Sequence, residues 1–309
     1  MIISRLLSKM FVFLVLMLIG YAGARKKFFG PDFAKSASKL VINVFLTASI
    51  LSSVVGKKPD ISNSQLMKIL LLMALIVVIS YILALITVRL FKLGGENSPV
   101  AVLLISVMNN MFVGLPIVQD LYGPTAVLYI MVSNIPFNII LYTFGAWLLK
   151  RGRGNGEKSS FRFKDILSAP LIAALAAFLL FLTDIPIPGF IQELIGSLAG
   201  ATMPMSMIVI GATLGPINIL DAFRDKKVYI ICFVRLILCP VLIWFIMRFF
   251  TNDPTLLATS VVIAGCPSAV IVSVFALQYD YDAVYSSKGV LATTTLSLVT
   301  MPLIISILL

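Results

Sequence analysis

The sequence predicts an all-α polytopic membrane protein: ten transmembrane helices forming two inverted five-helix repeats, with the fourth and ninth helices broken. Three observations carry the prediction. First, 60% of the 309 residues are hydrophobic and 12% are charged, and the mean hydropathy of +1.07 is too high for a water-facing globule. Second, the apolar stretches are long enough to cross a bilayer and are separated by short basic runs. Third, two of them are interrupted in the same way, by small or amide residues followed by proline, at corresponding places in the two halves of the chain.

Continuous apolarity places the spans near 7–24, 39–55, 66–90, 99–122, 125–149, 165–183, 190–214, 228–250, 255–278 and 284–309. The first imitates a signal peptide, with Arg5 and Lys9 ahead of an apolar run that ends in Ala22-Gly23-Ala24. Arg25, Lys26 and Lys27 follow at once, and a basic cluster there holds that end in the cytoplasm, so the segment reads as a retained span.

Charge sets the orientation. Loops after odd-numbered spans collect Arg25, Lys26, Lys27, Lys35 and Lys39, then Arg89 and Lys92, a dense run at 150–164, Arg224, Lys226 and Lys227, and Lys288. The opposite side carries Arg5, Lys9, Lys57, Lys58, Lys68 and Arg248. The positive-inside rule puts the basic loops in the cytoplasm and both termini outside, in a plasma membrane or bacterial inner membrane. The net charge of +11 therefore reads as topology and contact with anionic lipid, not as a nucleic-acid face.

Residues 1–150 form the first repeat, 151–164 a cytoplasmic linker rich in Gly152, Gly154, Gly156, Ser159 and Ser160, and 165–309 the second repeat. Five spans are an odd number, so the second half enters the membrane inverted. Leu46-Thr47-Ala48 in span two is set against Met203-Pro204-Met205 in span seven, and Pro116 in span four against Pro267 in span nine. The separations are similar, 69 residues from Thr47 to Pro116 and 63 from Pro204 to Pro267. Pro136 and Pro302 extend the correspondence with less regular spacing. Inverted repeats of this kind recur in secondary transporters, where exchanging the conformations of the halves gives alternating access.

Span four places Asn109, Asn110, Gly114 and Pro116 where an ordinary span is aliphatic, and span nine has Gly265, Cys266, Pro267 and Ser268. Proline removes an N–H and clashes with the preceding turn, and glycine lets the backbone leave helical geometry. Two half-helices then start near the midplane, each with free N–H groups and a positive dipole end. Non-helical backbone at that depth requires a protein-lined or watery cavity. Facing helix starts make an anion site, to which Asn109, Asn110 and Ser268 add neutral hydrogen bonds. The competing structural account is a pair of proline kinks with amides that serve packing. Asn134 and Asn138 stand one turn apart on span five with Tyr142 a turn further, a stripe that either lines the cavity or joins helices. Asn134, with Thr47 and Met203 at their corresponding positions, completes the candidate substrate-binding set.

These motifs resemble the auxin efflux carrier family, which includes plant PIN carriers and bacterial malonate carriers. The run 109–123, with Asn109, Gly114, Pro116 and the closing Tyr122-Gly123, is similar to that family's fourth helix. Cys266-Pro267-Ser268 followed by Phe275-Ala276-Leu277-Gln278-Tyr279 is similar to its ninth. The resemblance covers essentially the whole chain. It implies a scaffold and a transport domain, helices four and nine crossing at their prolines, and Asn109 as a ligand-contacting amide. Span two has Thr47 where relatives often have proline, and span three lacks the buried acid that supports the site in the plant carriers. The implied substrate is therefore a small carboxylate such as malonate, malate or lactate, and not auxin.

Of the remaining polar residues, Arg235 in span eight reads as snorkelling to the interface or paired, in preference to touching substrate. Asp120, Asp280 and Asp282 fall at helix ends, where solvated caps are expected. No acid lies in mid-membrane and histidine is absent, which leaves no proton relay, no His-containing zinc motif and no enzyme chemistry. Cys232, Cys239 and Cys266 lie inside apolar spans, where no disulfide framework fits.

The expected function is electrogenic, sodium-independent transport of a small organic anion by alternating access. A sodium-coupled symporter of the bile-acid-transporter type, and a receptor or channel without carrier activity, are the alternatives. No cofactor and no metal are expected. The expected partners are the anion and membrane lipids, with a homodimer as the one protein assembly considered.

Overall fold

A computed structural model of the chain describes residues 2–30, 32–52, 55, 63–152, 169–183, 186–215 and 224–309. Among these residues the fold is all-helical, and the only extended pairing is one antiparallel bridge between Met108 and Ser268. Helices are the form in which an open chain satisfies its own backbone within lipid. Helix α1 covers Ile2–Arg25, α2 Phe33–Ser52, α3 Asn63–Leu90 and α4 Ser98–Ser106. A π turn, Asn110–Gly114, opens α5, Leu115–Ile140, which a second π turn, Leu141–Gly145, prolongs into Ala146–Gly152. Then follow α6 Ala169–Thr183, α7 Gly189–Leu214, α8 Lys226–Phe250, α9 Pro254–Gly265, α10 Ile271–Gln278 and α11 Ala283–Leu308.

Among the described residues six segments are long and apolar enough to cross a bilayer: Phe33–Ser52, Ser64–Leu90, Thr125–Gly152, Gly189–Leu214, Lys226–Phe250 and Ala283–Leu308. Their outer faces expose large apolar side chains such as Leu71, Ile86, Phe245 and Ile307, as a lipid-facing protein must. Arg151 stacks on Trp147 and Arg248 on Trp244, the pairing of amphipathic rings and cations typical of membrane interfaces. The chain is an integral membrane protein. Inside α5 the backbone leaves the helix at Gly123 (φ 74°, ψ −161°), a left-handed conformation that glycine adopts freely. The boundary expected between spans four and five falls there. Of the expected linker at 151–164, residues 151–152 end a helix and the rest lies outside the described residues.

The helices pack as two groups, each drawing on both halves of the chain. The first is α1, α2, α6 and α7. In it α1 and α7 cross so closely that a Cβ at Gly20 would sit 2.1 Å from the Ile208 carbonyl oxygen, and one at Gly211 1.9 Å from that of Met17. The Thr202 hydroxyl donates to the Phe45 carbonyl (2.9 Å), tying α7 to α2. The second group is α3, α4, α5 and α8 to α11. It is knitted at both ends. Tyr129 on α5 donates to Asp253 (2.6 Å), whose carboxylate caps the first turn of α9, and Tyr281 donates to the Leu149 carbonyl (2.6 Å). The groups meet where α5 touches α6 and α1, where α11 touches α1 and α7, and where α10 touches α7 and α2, the last with a Lys35–Asp280 ion pair at 2.7 Å.

Candidate functional site

Helix α4 ends at Ser106 because Val107 is extended (φ −93°, ψ 109°), and the chain resumes helical form at Asn110. Helix α9 ends at Gly265 because Cys266 is extended (φ −61°, ψ 146°), and it resumes at Ile271. The two non-helical stretches cross in contact. Asn109 N–H donates to the Pro267 carbonyl and Ala269 N–H to the Val107 carbonyl, both at 2.9 Å, which is the bridge noted above. Each break thus supplies backbone partners to the other, as buried backbone requires.

The carbonyls left at the two helix ends converge on one side chain. Arg235 lies in a π turn of α8, Val234–Leu238, and is 0% exposed. Its Nε donates to Cys266 O (2.9 Å), Nη1 to Ile105 O (2.9 Å), and Nη2 to Ala264 O (2.6 Å) and Ile263 O (3.4 Å). Of the two expectations for Arg235, snorkelling is not met and pairing is, with backbone carbonyls as partners: its fork spans the C-terminal ends of α4 and α9, where helix dipoles gather negative charge. Sequence reading missed this because the acceptors are backbone atoms up to 130 residues away.

On the other side of the crossing lies a small cavity between the two helix groups. Its polar lining is Asn109, Asn110, Asn134, Asn138, Ser49, Thr202 and Ser206, and its apolar lining includes Met108, Phe137 and Ile271; no lining residue is charged. Asn110 donates to Asn134 (3.2 Å), which itself donates to the Ile130 carbonyl (3.1 Å). Asn109 is 4% exposed, and its Nδ2 has no hydrogen-bond partner. An unpartnered buried amide donor is costly unless a ligand or water satisfies it. The leading N–H groups of the helix that opens at Asn110 lie beside it, whereas at the start of α10 Val272 N–H and Ser273 N–H already donate to Ala269 O and Val270 O.

The candidate residues divide. Asn109, Asn110 and Asn134 come together on the cavity wall. Ser268 does not line it: the side chain is 0% exposed and donates to Leu104 O (2.5 Å), while its N–H donates to Thr293 Oγ1 (3.2 Å). Cys266 Sγ faces Val262 O (3.2 Å), and Pro267 is in the crossing through its carbonyl. Gly114 is helical and not a point of departure from the helix; an added Cβ there would meet Cys266 Sγ at 3.0 Å and Ile130 Cδ1 at 3.1 Å. Pro116 follows in the first turn of α5, beyond the break. Thr47 donates to Ile42 O (3.1 Å) and Met203 packs on the core, while their neighbours Leu46, Ser49, Ile50, Thr202 and Ser206 reach the cavity.

Comparison with known proteins places this geometry. The family described as membrane transport protein matches residues 6–305. An uncharacterized transporter of Methanothermobacter thermautotrophicus is 25% identical over 291 residues, covering 94% of each chain. One of Methanocaldococcus jannaschii is 24% identical over 307 residues, covering 94% of this chain and 95% of its own. The uncharacterized transporter YfdV of Escherichia coli is 24% identical over 207 residues, 65% of this chain and 66% of its own.

Proposed function

Since the chain belongs to the membrane transport protein family, the auxin efflux carrier family that its sequence resembles, we propose that it is a secondary transporter of a small organic anion, a carboxylate, working by alternating access. The observation that carries this reading is the neutral cavity at the crossing, where the unpartnered Asn109 Nδ2, with the helix start at Asn110 beside it, offers donors and no acidic side chain on the wall opposes an anion. A carboxylate accepts several hydrogen bonds at once and fits such a donor set. The cavity lies between the two helix groups, so movement of one group against the other would expose it to alternate sides.

On this reading residues 1–150 and 165–309 are inverted repeats of five helices each, joined by the cytoplasmic linker 151–164, with both termini outside. Transport is electrogenic and sodium-independent. An anion moving alone outward across an inside-negative membrane gains about 2.3 kcal/mol per charge per 100 mV. Protein in liposomes under a potassium-valinomycin potential should carry labelled malonate in the direction set by the sign of that potential. Flux that ignored the potential but required a sodium gradient would sink the reading. A cysteine introduced at Gly154 should resist an impermeant reagent added outside intact cells.

A further inference from the structure

We propose that Arg235 is a tethered cation, occupying the place where a carrier with broken helices would otherwise bind a coupling metal ion. The proposal rests on reading the crossing as the heart of a carrier. In transporters built this way, half-helix C-terminal ends and unwound carbonyls are the groups that coordinate a coupling ion. Here those groups are present and filled. Ile105 O closes α4, Ile263 O and Ala264 O close α9, and Cys266 O belongs to the unwound stretch, and all four accept from one guanidinium.

Neighbouring acceptors are also engaged. Leu104 O takes the Ser268 hydroxyl, Val107 O takes Ala269 N–H, and Pro267 O takes Asn109 N–H. The carbonyls that close the two helices and several of their neighbours are thus already engaged by the chain's own donors. Guanidinium stays protonated at any physiological pH and is weakly hydrated, so it can remain buried where a free hydrated metal would exchange. A side chain cannot leave with the substrate. The same cage that elsewhere couples transport to an ion gradient here supplies a permanent positive charge beside the anion cavity, and the carrier is released from the ion.

Melting of the purified full-length protein in matched millimolar choline, sodium or guanidinium chloride tests this without any substrate. Wild type is expected to melt alike in all three. Arg235→Ala should melt roughly 5–10 °C lower in choline, because it leaves buried carbonyls unpaired, and should recover in sodium or guanidinium. Arg235→Lys keeps a tethered charge and should need no added cation. Equal melting of Arg235→Ala in the three salts, or a wild type that depends on sodium, would overturn the proposal. If Arg235→Ala cannot be recovered from membranes, Arg235→Lys decides: stability in choline without a sodium response supports the tethered charge, and equal failure to fold overturns it. Absence of malonate flux in the wild type would instead count against the transport reading and leave these melting results standing.

Discussion

The two helix breaks share a plan and put it to different uses. At the first, Asn109 and Asn110 present amides to the cavity, and one amide donor is left without a partner. At the second, Cys266 and Ser268 turn their polar atoms into the protein, and only Ala269, Val270 and Ile271 face the cavity. On the proposed reading the first break recognises substrate, while the second braces the fold. A pair of similar sequence motifs is therefore no guarantee of a symmetric site, because each side chain goes wherever the nearest unsatisfied backbone group lies.

The most disruptive way to probe this difference is to force the breaks apart. A side chain at Gly114 meets Cys266 Sγ at 3.0 Å and Ile130 Cδ1 at 3.1 Å, so Gly114→Val should cost about 2–3 kcal/mol and abolish flux. An unchanged melting temperature would show that the breaks do not depend on their contact. Next, Ser268→Ala strips the Leu104 carbonyl of its donor in a fully buried place and should cost about 1–2 kcal/mol of stability while leaving malonate affinity unchanged. Loss of affinity with stability intact would move Ser268 into the recognition half.

Asn109→Ala should do the reverse. With no internal partner to lose, stability should hold, while loss of one neutral hydrogen bond lowers ligand affinity by about 0.5–1.5 kcal/mol, a factor of roughly 2–13 by equilibrium binding. The smallest effect belongs to Lys35→Ala. Its pairing with Asp280, just beyond the bracing half-helix, joins side chains 51% and 70% exposed, and water and salt screen exposed pairs of this kind, so the melting temperature should barely move. A larger change in melting would mean that α2 itself helps to hold the second break.

The sequence made some of this legible. Hydropathy located the helices, and Gly123 marked a true departure from the helix because a positive φ has few other occupants. The amides of Asn109 and Asn110 pointed to the first break, since aliphatic residues dominate elsewhere in that span. Proline misplaced it. A π turn carries the chain from Asn110 into Leu115, so Pro116 lies inside an established helix, and the rule that proline starts a helix put the interruption too late. Ser268 and Cys266 were unreadable for another reason. Once the backbone is extended, helical periodicity no longer tells which way a side chain points.

The π turns have a consequence of their own. Each holds one residue more than an α-helical turn, and such turns often mark functional sites. Val41–Leu46 runs straight into the segment that carries Ser49 and Ile50, Asn110–Gly114 contains two cavity residues, Leu141–Gly145 follows Asn138 by two residues, and Val234–Leu238 carries Arg235. The extra residue shifts the angular phase of everything downstream by about 100°. Deleting the exposed Asn43 would let α2 relax to regular geometry with Ser49 and Ile50 still at the wall, because the lost residue offsets the turn's extra one, whereas straightening the turn with every residue kept would swing them off it. Which side chains meet the cavity is set by the turns of these helices as well as by their residues.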